Sequence, residues 1–218
     1  METVVILGAS RGLGASLSRL AAKAGNTVLG WSRKKDRLEE IQRQSPTFSY
    51  RIADFSVEED QTRVLEELGS LPFDKLFYVA GGGPFGPFHS KSWAAHDWAL
   101  EVSFRFPARI LHLLANRQPQ VQTVIIGSSV AEAAPDPGAA SYCAAKHALN
   151  GLVKTLQVEY PQWDLRLFSP GYMDTELLPV NAAVRNLGVH DLELVAQDLW
   201  RWSLTEEHGG HKMHPKHP

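Results

Sequence analysis

Hydrophobic positions along this chain follow two alternating rhythms. Thr3-Val-Val-Ile-Leu7 is an unbroken apolar run stopped by Gly8, the pattern of a strand buried on both faces. Gly12 to Ala24 then sets Leu13, Leu17, Leu20, Ala21 and Ala24 at helical steps, and Gly25-Asn26 supplies a C-cap. The pair recurs as a strand over Thr27 to Trp31 and a polar helix over Lys34 to Gln44, with Leu38 and Ile41 on one side. It recurs again as a strand over Thr47 to Ile52 and a helix over Val57 to Leu68. Further on, the pattern predicts strands over Lys75 to Ala80, Thr123 to Ile126 and Leu165 to Phe168. Helices are predicted over Ala94 to Ala115, Ala139 to Tyr160 and Asp191 to Ser203.

This alternation predicts one doubly wound α/β domain of the Rossmann type, a parallel sheet with helices on both faces. The domain is expected over 1–204. Residues 205–218 are polar and histidine-containing, and read as a flexible tail with no convincing last strand. The Gly/Pro-rich stretch Gly81 to Pro87 follows a strand, so it falls at the carboxyl edge of the sheet, where such folds bind ligands.

At 218 residues the chain is long enough for a full core, and 44% hydrophobic with 21% charged residues is ordinary globular composition. The net charge of −2 offers no basic excess for nucleic acid or an anionic membrane. No apolar run is long enough to span a bilayer, and the N-terminus runs straight into a strand-like segment. Cys143 is the single cysteine, which excludes an intramolecular disulfide and suits a reducing cytoplasm, the expected location.

Two constellations carry chemistry. Gly8-Ala-Ser-Arg-Gly12-Leu-Gly14 joins the first strand to the first helix, where a tight backbone turn and free helix N–H groups suit a pyrophosphate. The second strand ends in Trp31-Ser32-Arg33-Lys34-Lys35 with no acid before Asp36. Arg11 and Arg33 there suit a 2′-phosphate, which favours NADP(H) over NAD(H). In the second constellation, Tyr142 and Lys146 share a helix face, so a fixed cation can bring a phenol into the range of proton transfer. Ser128 and Ser129 follow a strand end on the same edge.

In combination these motifs resemble the short-chain dehydrogenase/reductase family over about residues 1 to 176. Ser129 stands thirteen residues before Tyr142, Tyr142-Cys-Ala-Ala-Lys146 matches Tyr-x-x-x-Lys, and Pro170-Gly-Tyr-Met-Asp-Thr175 matches the segment beside the nicotinamide. The resemblance implies catalytic roles for Ser129, which orients the substrate oxygen, Tyr142, the general acid/base, and Lys146, which lowers the tyrosine pKa and binds ribose. It implies cofactor contacts from Gly8, Ser10, Arg11, Gly12, Leu13 and Gly14 at the first turn, and from Ser32 and Arg33 at the second strand. It adds Asp54 and Phe55 near the adenine, Ala80 and Gly81 after the fourth strand, and Pro170, Gly171, Met173 and Thr175 at the nicotinamide end. Asp54 fits a helix-start carboxylate equally well.

The implied activity is NADP(H)-dependent carbonyl reduction or alcohol oxidation on a small molecule; no metal is implied. A dinucleotide-binding sensor with little catalysis is the alternative, and an isomerase using the same cofactor transiently is a third. Three departures from the family pattern favour the sensor. Tyr78-Val79-Ala80-Gly81 stands where Asn-Asn-Ala-Gly is usual, Ser103 stands where a helix asparagine is usual, and only 43 residues follow Thr175. Phe85, Phe88, His89, Trp93, Tyr172 and Met173 are candidates for an apolar substrate wall. His208, His211, His214 and His217 are weaker candidates for a metal, and Cys143 for a thiol role. The two long helices suit a homodimer or homotetramer.

Overall fold

A computed structural model describes residues 1–117, 122–133, 136–178 and 183–218. Among them the sheet has seven strands, all parallel: β1 (Thr3–Leu7), β2 (Thr27–Ser32), β3 (Phe48–Ile52), β4 (Lys75–Tyr78), β5 (Thr123–Gly127), β6 (Leu165–Ser169) and β7 (His211–Met213). The helices are α1 (Gly12–Lys23), α2 (Lys35–Gln44), α3 (Glu58–Ser70), α4 (Trp93–Leu100), α5 (Phe106–Ala115), α6 (Ala140–Glu159) and α7 (Leu192–Ser203). No helix among the described residues is long and apolar enough to cross a membrane.

Strand order is β3-β2-β1-β4-β5-β6-β7, so the winding reverses between β1 and β4 and opens a crevice at their carboxyl ends. The two faces of each strand alternate. Val4 and Ile6 pack with Leu17, Ala21 and Leu199, beneath α1 and α7. Val5 and Leu7 pack with Val64, Phe106 and Leu149, beneath α3, α5 and α6. Both sets are buried, which is why β1 shows no polar position inside its core-facing run.

Two expectations are overturned. The helix read over Ala94 to Ala115 is broken by a π-turn at Glu101–Arg105 between α4 and α5. Pro107 lies in the first turn of α5 and has no N–H to donate to Ser103, so the regular ladder fails there. The absent last strand is also present, as β7 beside β6. Three residues, two of them polar, carry no period to detect. Their order comes from backbone bonds, Leu167 N to Gly210 O at 2.9 Å and His214 N to Ser169 O at 2.9 Å. Gly209 and Gly210, at φ +67° and +108°, let the chain turn into that strand.

Candidate active site

The crevice is built first by glycines. Gly8 has φ +101°, and a Cβ there would lie 2.7 Å from the Ala80 backbone nitrogen. A Cβ on Gly14 would lie 2.1 Å from the Gly8 carbonyl oxygen, so the first turn closes only without side chains. Helix α1 starts at that turn with no side-chain cap and no acid in its first turn. Its N-terminal amides and positive dipole end therefore face the crevice with no cap or acid from the helix itself.

One continuous cleft is lined by Gly8, Ser10, Arg11, Gly12, Leu13, Ser32, Arg33, Asp54, Phe55 and Ala80, with Thr175 against Gly12, at one end. Ser129, Tyr142, Lys146, Pro170, Gly171 and Met173, with Gly81 against Lys146, line the other. Every site residue expected from sequence is thus brought to one cleft except Gly14, which serves the packing of the turn. Ser10 and Ser32 hydroxyls meet at 2.6 Å and tie the glycine loop to the end of β2. Arg33 lies 3.5 Å from Asp54, with its guanidinium 5.6 Å above the Trp98 ring. Burial opposes the Asp54 charge. Bonds from Ser56 Oγ and N at 2.7 and 3.0 Å, together with Arg33, outweigh burial and hold its pKa below the usual value.

At the other end α6 presents Tyr142 and Lys146 on one face, with Lys146 Nζ 5.5 Å over the phenol ring. Lys146 is buried and donates to Gly127 O at 2.8 Å. Burial pushes its pKa down to about 8, against the pull of Glu132. Burial pushes Tyr142 up to about 12, against the Ser129 hydroxyl that faces it. Ser103 is fully buried on the π-turn, where its hydroxyl accepts from Gly82 N at 3.2 Å and donates to Gly82 O at 3.1 Å. That serine therefore fixes the loop after β4 beside Lys146. Val79 packs without polar contact against the glycine turn.

Of the apolar candidates, Phe85, Tyr172 and Met173 line the cleft, joined by Trp98, Val102 and Leu177. Phe88, His89 and Trp93 do not; Phe88 stacks on His96 at 4.4 Å, and Trp93 is 70% exposed. Cys143 is buried away from the cleft, and burial raises its pKa. Three of the four tail histidines have protein partners: His211 lies 2.7 Å from the buried Glu132, His214 2.9 Å from Asp198, and His217 2.9 Å from Gly188 O. No cluster among the described residues is arranged to hold a metal.

Residues 2–185 match the family model for short chain dehydrogenases. The chain belongs to the short-chain dehydrogenase family. Among its relatives, the cyclic-di-GMP-binding biofilm dispersal mediator protein of Escherichia coli K12 is 27% identical over 195 residues, covering 88% of this chain and 81% of that protein. An NADPH-dependent pterin aldehyde reductase of Arabidopsis thaliana is 28% identical over 191 residues, covering 81% and 77%. Among solved structures, BdcA in complex with NADPH superposes with a TM-score of 0.87 at 23% identity, covering 99% of this chain and 94% of that one. At that identity the superposition speaks to the fold. Within this short-chain dehydrogenase, Arg37, Glu176, Trp98 and Glu132 are cleft or near-cleft residues that motif matching missed. Only Arg37 carried a sequence signal, as a fourth cation close behind Arg33, Lys34 and Lys35.

Proposed function

We propose that this short-chain dehydrogenase is an NADP(H)-dependent carbonyl reductase acting on small ketones or aldehydes. The observation that carries the reading is the convergence of Ser129, Tyr142 and Lys146 in one cleft with Arg11, Arg33 and the N-terminus of α1, which has no side-chain cap. The residues fit a dinucleotide phosphate: the α1 amides meet no cap or acid from their own helix, and Arg11 and Arg33 stand where no acid closes β2. The similarity to an NADPH-dependent pterin aldehyde reductase supports that choice.

Ser10 and the α1 amides would hold the pyrophosphate, and Arg11 and Arg33 the 2′-phosphate at the adenosine end. Lys146 would hold the nicotinamide ribose. NADPH, when bound, supplies the hydride. The protein's own part is the proton. Ser129 orients the substrate oxygen, and Tyr142 donates its phenolic proton to that oxygen as the carbonyl is reduced. With its pKa near 12, Tyr142 is neutral at pH 7 and so is set as an acid, which suits reduction. Lys146 is still cationic at pH 7 and steadies the phenolate as it forms. Phe85, Trp98, Val102 and Leu177 make the substrate end apolar.

Titration of NADPH and NADH by tryptophan fluorescence tests the cofactor half. NADPH is expected to bind more tightly, and Arg33→Asp to weaken it by about tenfold or more, the loss expected for charged hydrogen bonds. Binding of neither nucleotide would sink the proposal.

A further inference from the structure

The charged residues that line the cleft are engaged with one exception. Arg11 lies 3.2 Å from Glu176, Arg33 lies 3.5 Å from Asp54, and Lys146 donates to Gly127 O at 2.8 Å. Asp136 also lines the cleft, half-buried, and has no cation within ion-pair distance among the described residues. It sits in the turn that leads into α6, where Ala139 N donates to Asp136 O at 3.0 Å, and α6 carries Tyr142 in its first turn. The same turn is tied to the loop of Phe85 by Gly86 N donating to Gly138 O at 2.8 Å. The carboxylate therefore stands at the substrate end, beside the apolar wall of Phe85, Trp98, Val102 and Leu177. Tyr172 lines the cleft as well, and its hydroxyl is buried with no hydrogen-bond partner of good geometry among the described residues. Burial first, and the Asp136 carboxylate second, push the Tyr172 pKa up, so the phenol stays neutral and adds no charge of its own. Lys216 Nζ lies 5.5 Å over the Tyr172 ring without pairing with Asp136. A half-buried carboxylate with no cation, beside an unpartnered phenol, suits a cationic N–H group.

We propose that Asp136, together with Tyr172, selects carbonyl substrates that carry an ammonium or amidine-like group remote from the reacting carbon. The proposal deepens the carbonyl reductase reading and rests on it for the placing of the substrate. Ser129 and Tyr142 hold the carbonyl oxygen at one point, Asp136 holds the cation at a second, and the apolar wall covers the hydrocarbon that joins them. An anionic substrate meets Asp136 as a like charge and loses affinity. Asp136 acts on the remote group before and during reduction alike, so its effect falls on KM more than on kcat.

The probes are para-(aminomethyl)acetophenone, neutral para-ethylacetophenone and anionic para-acetylbenzoate, given to the full chain. Turnover is followed by NADPH absorbance, and binding by calorimetry on the chain saturated with NADP⁺, which has no hydride to give. Wild type is expected to favour the ammonium ketone over the ethyl ketone about tenfold in kcat/KM, the low end for a hydrogen bond to a charged group, and to disfavour the benzoate. The preference should shrink as salt rises. Asp136→Asn should bring the ammonium-to-ethyl ratio within about twofold of one, chiefly through KM. The ethyl ketone is the reference within each variant, so any effect of Asp136 on Tyr142 cancels in the ratio. Asp136→Lys should reverse the order and favour the benzoate. A wild-type ratio near one, or a ratio that Asp136→Asn leaves unchanged while the ethyl ketone is turned over, would overturn the proposal and leave the reductase reading standing. Preferential binding of the ammonium ketone that Asp136→Asn abolishes, with no probe turned over, would keep the cation subsite and favour the sensor. Neither binding nor turnover of the three ketones would overturn both.

Discussion

Tyr142→Phe is expected to lower kcat/KM for NADPH-driven ketone reduction by about 10²- to 10⁴-fold, the range in which a positioned general acid contributes. The change removes one oxygen from a side chain at the start of α6 and keeps the ring that packs beneath Lys146. NADPH affinity should therefore stay within about twofold, and the unfolding temperature should hardly move. The pH profile separates a proton donor from a structural phenol. Lys146 is held near 8 by burial, so its charge is present below that value and lost above it. Wild-type reduction is expected to decline as pH rises through about 8, while the residual rate of Tyr142→Phe loses that dependence. Steady-state kinetics from pH 6 to 10 check both. Retention of near-wild-type turnover by Tyr142→Phe would remove the proposed mechanism and favour the sensor, in which an intact cleft binds nucleotide without chemistry.

Much of this site was legible because its parts obey short-range rules. The glycine turn is fixed by contacts of 2.1 to 2.7 Å that only a missing Cβ permits, and such turns recur at a fixed place after the first strand. Tyr142 and Lys146 are bound by helix geometry alone. The strand and helix alternation was legible because both faces of β1, β2, β4 and β5 are buried, which leaves near-continuous apolar runs. What escaped depends on contacts across long stretches of chain. Glu176 meets Arg11 at a separation of 165 residues. Glu132 is a buried carboxylate that becomes intelligible only when His211 arrives from β7 at 2.7 Å. The π-turn escaped because apolar residues continue across it, at Leu100, Val102, Phe104 and Phe106, and only Pro107 hints at the break. Strand β7 escaped because its three residues are held by partners rather than by their own hydrophobicity.

The turn that leads into β7 is gripped by Arg166, and removal of this side chain is expected to have the largest effect on stability. Its guanidinium is 1% exposed inside β6. It grips Asp164 through two bonds, at 2.7 and 2.9 Å. It also donates to the carbonyls of Trp202, Thr205 and Glu207, and stacks 5.4 Å over the Trp202 ring. Arg166 thereby ties β6 to the end of α7 and to the turn that enters β7. Arg166→Met keeps the bulk and deletes the charge, which strands a buried carboxylate and three carbonyls. Breaking a buried pair from one side costs about 3–5 kcal/mol. For a chain of this size that is a fall of about 6–20 °C in unfolding temperature. Asp164→Asn with Arg166→Met should cost less than Arg166→Met alone, because no charge is left unpaired. Differential scanning calorimetry of both variants decides it. A single variant within about 1 kcal/mol of wild type would show that the strap is not what orders the tail. The consequence reaches the cleft, since Pro215 O bonds His190 at 2.8 Å behind Gly171, and Lys216 O accepts from Tyr172 N at 3.1 Å. A loosened β7 therefore withdraws the support of the substrate wall, and in Arg166→Met the KM for a ketone should rise while NADPH affinity holds.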